Sequence, residues 1–230
     1  MSAPDIIVEA RGLVLSTHVE AAPFDLVVRA GEHWLLQGRT RSGKSPLLKT
    51  LCGLISPAAG EVVLFGNGLH DIAQQTLLKL RRNLGFVFSQ DGLMPAWSGF
   101  ENLALPLKYH GRARDAEIIA RVEAFATRYG VPSEWLDQPV TNLSPEKRLA
   151  LSLLRAVLIQ PKLLLIDGIA LDALIAFSGI RVDALLAEAL AEHCTVMLSL
   201  PDGVESVPLA LSSIDFRRAE MRAGTLELLN

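Results

Sequence analysis

Residues 38–46 read GRTRSGKSP. The first eight, Gly38, Arg39, Thr40, Arg41, Ser42, Gly43, Lys44 and Ser45, satisfy the pattern G-x-x-x-x-G-K-[ST]. They follow the apolar run HWLLQ and precede PLLKTLCGL, whose apolar residues recur at helical spacing until Gly53 and Pro57 stop it. Strand, glycine-bearing loop and helix in that order is the context in which this pattern cradles phosphate. The glycines let the backbone approach and turn its N–H groups inward, and the helix start adds partial positive charge. Lys44 then reaches the β- and γ-phosphates and the Ser45 hydroxyl faces Mg2+. The ninth residue, Pro46, lacks an N–H. Its loss removes one charge-assisted bond to phosphate, about 1.5–3 kcal/mol, while proline remains sterically welcome in a first helical turn.

The pattern outside the loop predicts an α/β domain. DIIVEARGLVL and PFDLVVRAGEHWLLQG alternate and are punctuated by glycine, so several short strands precede the loop and form an antiparallel β part. GEVVLFGNG reads as a short strand pair, and TLLKLRRNL as a helix leading to the strand GFVFS. Residues 91–143 open with Gly, Pro and Trp, continue with the amphipathic run RDAEIIARVEAFATRYG, and read as a helical subdomain inserted in a single domain spanning 1–230. SPEKRLALSLLRAVLIQ is a strong helix with Ser144 as N-cap, Pro145 in first position and Glu146 in the first turn. It delivers KLLLID, an apolar run of the kind found in a central parallel strand, and RVDALLAEALAEH then feeds the strand CTVMLSL. His193 ends that helix and complements its dipole. Alternating strand and helix gives a parallel-sheet core.

Composition narrows the partners. With 230 residues, half of them hydrophobic and 20% charged, the chain buries a substantial core. A net charge of −3 and no long basic run argue against nucleic acid. Cys52 and Cys194 lack metal-ligand spacing and read as apolar core residues in a reducing compartment. The opening stretch, broken by Pro4 and Asp5, is unlike a secretion signal, and no window is apolar enough to span a bilayer. The expectation is a cytoplasmic chain that reaches a membrane only through a partner.

With the loop, the run LLLID closed by Asp167, and LSPEKRLALSLLRAVLIQPKLLLID leading into it, the chain resembles the nucleotide-binding subunit of an ABC transporter over nearly its whole length. Its size and the run ENLALPL look like compact bacterial subunits of lipid- or lipoprotein-trafficking systems. The resemblance implies ATP and Mg2+ as cofactors and a membrane permease as partner, on whose inner face the chain lies. It implies a homodimer, or a heterodimer with another ABC subunit, in which ATP sits between one phosphate loop and the other chain's signature motif. Asp167 matches the aspartate that supports Mg2+.

Several positions depart from the family pattern. Gly168 stands where a glutamate polarises the attacking water; losing a positioned general base removes about 10²–10⁴ in rate, and Asp172 is the nearest acid downstream. Pro201 occupies the position of the switch histidine. The signature L-S-G-G-Q is LSPEK at 143–147, retaining Ser144 but placing Pro145 and Glu146 where two glycines meet phosphate, with Lys147 next to offset the charge. Ser89 takes the place of the glutamine that senses the γ-phosphate, and Gln90 follows one residue late; a loop that absorbs the shift keeps Gln90 among the expected nucleotide-binding residues. The aromatic that stacks on adenine falls near Leu15, with His18 the nearest ring. Trp97 and Trp135 flank the expected subdomain and are candidates for its docking groove. Three readings follow: a subunit that binds Mg-ATP weakly with impaired or absent hydrolysis, an active transport ATPase whose departures are compensated, and a nucleotide-free scaffold.

Overall fold

In the computed structural model, residues 5–109, 111, 114–191, 194–204, 206–208 and 211–229 are described; His193 lies outside them. Strands β1 (Ile6–Val14), β2 (Phe24–Arg29), β4 (Ala59–Leu64) and β5 (Asn67–Gly68) form an antiparallel sheet in the order β2-β1-β4-β5. The second sheet has the order β10-β9-β3-β8-β7-β6, from β3 (His33–Gln37), β6 (Leu84–Val87), β7 (Leu163–Asp167), β8 (Thr195–Ser199), β9 (Phe216–Arg222) and β10 (Thr225–Leu229). All its pairings are parallel except the terminal β9–β10 hairpin.

The central strands are apolar throughout because both faces are covered. Every residue of β7 and β8 is buried. Alternate side chains go to opposite layers: Trp34, Leu36, Leu163, Leu165 and Met197 join Leu47, Leu48 and Leu51 of α1 (Lys44–Leu51) and the antiparallel sheet. Leu35, Leu164, Ile166 and Leu198 face the other side, against α6 (Pro145–Leu158) and α8 (Val182–Ala191). Both cysteines are buried, and burial pushes the Cys52 thiol up to about 12, so it is an inert core group. Among the described residues no helix is long and apolar enough to cross a membrane.

Between β6 and α6 the chain forms α3 (Gly99–Tyr109), α4 (Asp115–Arg128), α5 (Ser133–Asp137) and a 3-10 turn at Val140–Asn142, with α2 (Gln74–Arg81) preceding β6. Sequence periodicity picks out α4 but not α3, which carries Pro106 inside it. The signal for α3 is local: Ser98 and Glu101 form a reciprocal capping pair, Glu101 N donating to Ser98 Oγ at 3.1 Å and Ser98 N to Glu101 Oε2 at 2.8 Å. Buried Asn102 fixes the preceding loop, accepting from Met94 N at 2.7 Å and donating to Met94 O at 3.1 Å and Ser98 O at 3.0 Å. α7 (Leu171–Phe177) is likewise too short to show a period.

The turn after β6 is stapled to α6 by three side chains on one helical face. Arg148 Nε donates to Asp91 Oδ2 at 2.9 Å, Ser152 Oγ to Asp91 O at 2.5 Å, and Arg155 Nη2 to Gly92 O at 2.9 Å. Positions spaced by three and four lie above one another on a helix, so one stripe grips one loop. Arg148→Ala removes the side-chain anchor of Asp91. Hydrogen exchange should accelerate at residues 88–93 with β7 and β8 unchanged; equal exchange in that loop contradicts the staple.

Candidate functional site

The residues picked out around the loop converge outside the carboxyl ends of β3, β7 and β8, the crevice where open α/β sheets place ligands. Gly38 has φ +133°, and a Cβ there would overlap the Met221 carbonyl oxygen, so only glycine fits against the β9–β10 hairpin. Arg41 takes the left-handed conformation at φ +64°. The same hairpin holds the loop's far side, Gly224 N donating to Ser42 O at 2.9 Å.

Helix α1 begins at Lys44 without a capping side chain on Gly43, and its first intrahelical bond runs from Leu47 N to Gly43 O at 2.8 Å. The N–H groups of Lys44 and Ser45 precede that bond, and Pro46 contributes none. Pro46 is accommodated, its carbonyl accepting from Thr50 Oγ1 at 2.8 Å. The Lys44 ammonium donates to the carbonyls of Gly38 and, at 3.1 Å, Arg39. Burial draws its pKa down, opposed by the charges of Asp202 and Asp167. Ser42 is 8% exposed and its Oγ has no hydrogen-bond partner, an orphaned donor inside the loop. A buried unpaired hydroxyl is costly, and an anion in the cradle would satisfy it.

Ser45 Oγ donates to Asp167 Oδ1 at 2.8 Å, uniting the loop with the end of β7. Among the described residues no three His, Cys, Asp or Glu side chains form a metal cluster. One hydroxyl and one carboxylate suit Mg2+, which keeps several waters and takes its remaining oxygens from substrate phosphates. Thus Ser45 and Asp167 would hold Mg2+, and Gly38 to Ser45 the phosphates.

The positions that the resemblance assigns to hydrolysis carry other residues. Gly168 has φ +62° at the end of β7. Asp172 sits in the first turn of α7 and is exposed, with Ile169 and Ala170 between it and Gly168. Pro201 follows β8, and the group that reaches the loop from this segment is Asp202, whose Oδ2 accepts from Thr40 Oγ1 at 3.0 Å. The Thr40 hydroxyl and N–H, then the Lys44 charge, hold the Asp202 carboxyl below its ordinary range. Ser89 lies across from Gly168, its Cβ 3.7 Å from where a Cβ on Gly168 would stand, whereas Gln90 is exposed in the turn beyond. Ser89 and Gln90 are both exposed, Ser89 beside the end of β7 and Gln90 in the turn whose next residues, Asp91 and Gly92, are pinned to α6.

The adenine-side expectation changes too. Leu15 is fully buried under Gly43, and the His18 ring is tied down, Nε2 donating to Arg41 O at 3.0 Å and Nδ1 accepting from Thr17 Oγ1 at 2.8 Å. At the signature, Ser144 caps α6 by accepting from Lys147 N at 3.4 Å, behind Pro145. Glu146 is half-exposed, its carboxyl held low by its own N–H and by Ser144. Lys147 does not offset that charge as expected: its ammonium stands over the Trp135 ring at 5.4 Å, a cation–π contact. Trp135 is 4% exposed and belongs to the core, leaving Trp97 as the exposed tryptophan of the pair.

Ser199, Asp202 and the β9–β10 hairpin were not singled out from sequence. The hairpin's signal is the alternation of FRRAEMR and TLELL around Ala-Gly; a serine in an otherwise apolar strand gives no comparable signal.

These features define a phosphate-loop α/β fold with an antiparallel β part and helices. The family model described as ABC transporter matches residues 22–169, and the chain belongs to that family. It is 34% identical over 170 residues to the lipoprotein-releasing system ATP-binding protein LolD of Shewanella denitrificans, covering 74% of this chain and 71% of that one. It is 34% identical over 151 residues to the methionine import ATP-binding protein MetN 1 of Acinetobacter baylyi, covering 65% of this chain but 42% of that longer one. Among solved structures, the dimeric post-hydrolysis state of the ATP-binding cassette MJ0796 bound to ADP and Pi superposes with a TM-score of 0.79 at 23% identity, over 97% of this chain and 99% of that one.

The left-handed turn at Gly168 constrains any restored glutamate. There is room for a Cβ, but an L-residue in that conformation costs about 1–2 kcal/mol. Gly168→Glu should lower the thermal midpoint by about 2–8 °C, read by circular dichroism; an unchanged or raised midpoint contradicts the conformation.

Proposed function

We propose that this chain is the ATP-binding subunit of an ABC transporter complex that binds Mg-ATP weakly and hydrolyses it slowly or not at all, acting as a structural or regulatory member beside a membrane permease. The carrying observation is the contrast at the end of β7. Asp167 is engaged by the loop's own Ser45, while the next position has no side chain and a left-handed backbone. Phosphate and metal ligands are thereby supported, and a general base is not. When bound, Mg-ATP supplies the phosphoanhydride to be cleaved. Lys44, Ser45 and Asp167 would orient it, and nothing at Gly168 or Pro201 accepts a proton from water.

The signature segment supports a dimer of limited competence. Glu146 would carry its charge toward a partner's terminal phosphate, and like charges close together in a partly closed site repel. Lys147 is placed over Trp135, and the cation that acts on Glu146 is Arg148. A heterodimer with a second ABC subunit is the arrangement this favours, since an identical partner repeats the defect on both sites. Residues 91–143 would form the permease-facing helical subdomain. An open, mainly apolar groove of about 450 Å³ lined by Leu78, Phe86, Leu105, Pro106, Tyr109 and Ile159 offers a docking surface beside the stapled loop.

Calorimetric titration with Mg-ATP should show saturable binding that Lys44→Ala weakens at least tenfold, a loss of about 1.4 kcal/mol or more. Phosphate release by the wild-type chain should not exceed that of Lys44→Ala. Release abolished by Lys44→Ala would establish an active ATPase, and absence of binding would leave a scaffold.

A further inference from the structure

Ser199 occupies the last position of β8, in register with Asp167 on one side and Leu36 on the other, between the strands that carry the site. It is fully buried. Its Oγ donates to Asp167 Oδ1 at 3.0 Å, and the same oxygen accepts from Gly168 N at 2.8 Å. The Ser199 backbone carbonyl also accepts from Gly168 N, at 3.1 Å. Asp167 Oδ1 receives the Ser45 hydroxyl as well. The result is a continuous chain from the first turn of α1 through Ser45, Asp167 and Ser199 to the Gly168 amide.

We infer that Ser199 is a positioning residue for the Mg-nucleotide site: its single hydroxyl holds the Asp167 carboxylate on Ser45 and fixes Gly168 in the left-handed turn. This rests on the reading of the site as a nucleotide site and deepens it.

The directions of the bonds carry the argument. An ionised carboxylate only accepts, so the Ser45 and Ser199 hydroxyl hydrogens both point at Asp167. The Ser45 lone pairs are thereby turned away from the carboxylate and left for a cation. The Ser199 lone pairs face the Gly168 amide, a group the strand ladder does not otherwise satisfy with a side chain. An apolar residue at 199 would leave Asp167 with one hydroxyl fewer and free to rotate on its χ2. It would also leave the Gly168 N–H to the backbone carbonyl alone. The turn lacking a general base and the carboxylate that serves the metal are thus fixed by the same atom. The metal half of the site keeps its geometry without the side chain that normally follows Asp167 in this family.

The test is fluorescence titration with N-methylanthraniloyl-ADP in EDTA and in excess Mg2+, on the wild-type chain and on Ser199→Ala, Ser199→Cys and Ser199→Thr, with folding checked by circular dichroism. The wild-type chain should bind more tightly with Mg2+. Ser199→Ala should lose about tenfold of that enhancement with little change in EDTA, and Ser199→Thr, which keeps the hydroxyl, should retain it. Ser199→Cys fills the space with a poor donor and carries the expectation of the alanine variant should that variant not fold. Equal Mg2+ enhancement in wild type and in the folded alanine or cysteine variant overturns the role of Ser199 and leaves the nucleotide site standing. No saturable binding by the wild-type chain under either condition overturns both.

Discussion

The bond from Ser45 Oγ to Asp167 Oδ1 joins residues 122 positions apart and sets the geometry on which the candidate site depends. It ties the N-terminus of α1 to the carboxyl end of β7, so the phosphate cradle and the metal carboxylate share one fixed edge. The parallel sheet makes the bond possible. β7 is buried along its whole length, and its final aspartate therefore emerges at the crevice at a defined height. Loop, helix and strand each have local reasons to form, but the site exists because the sheet aligns their ends.

Around this edge the structure separates two kinds of chemistry. Groups that would hold an anion and a divalent cation are gathered at one place: Lys44 and the unpaired Ser42 hydroxyl in the loop, and Ser45 bonded to Asp167. At the positions the proposed reading assigns to proton transfer and terminal-phosphate sensing stand Gly168, Pro201 and Ser89, with Gln90 exposed one residue further on. The departures are integrated in the packing. Gly168 adopts a conformation that favours glycine, its amide is taken up by Ser199, and Lys147 is engaged by Trp135.

Much of the fold was legible in the sequence. The loop motif, the helix capped by Ser144 and the apolar strand ending at Asp167 are strong local signals, and the structure brings Ser45 and Asp167 together in one crevice. α3 was obscured by its internal Pro106, although the capping pair at Ser98 and Glu101 announces its start. α7 spans too few turns to show periodicity. The assignment of Lys147 failed because a cation's nearest partner can be an aromatic ring remote in sequence, here Trp135. Ser199 was invisible for a related reason: one hydroxyl in a buried strand has meaning only when register reveals that Asp167 lies beside it. The corrections thus fall where long-range packing, and not local pattern, decides a side chain's partner.

The central claim is that the chain holds Mg-nucleotide without cleaving it. It is tested most directly by equilibrium dialysis of the purified chain against excess Mg-ATP, with the nucleotide in both compartments identified by chromatography. An excess of intact ATP in the protein compartment, with no more ADP than in a Lys44→Ala control, is the predicted result. ADP accumulating with a matching amount of phosphate, and not in that control, would contradict it, and would mean that a base acts from outside the positions occupied by Gly168 and Pro201.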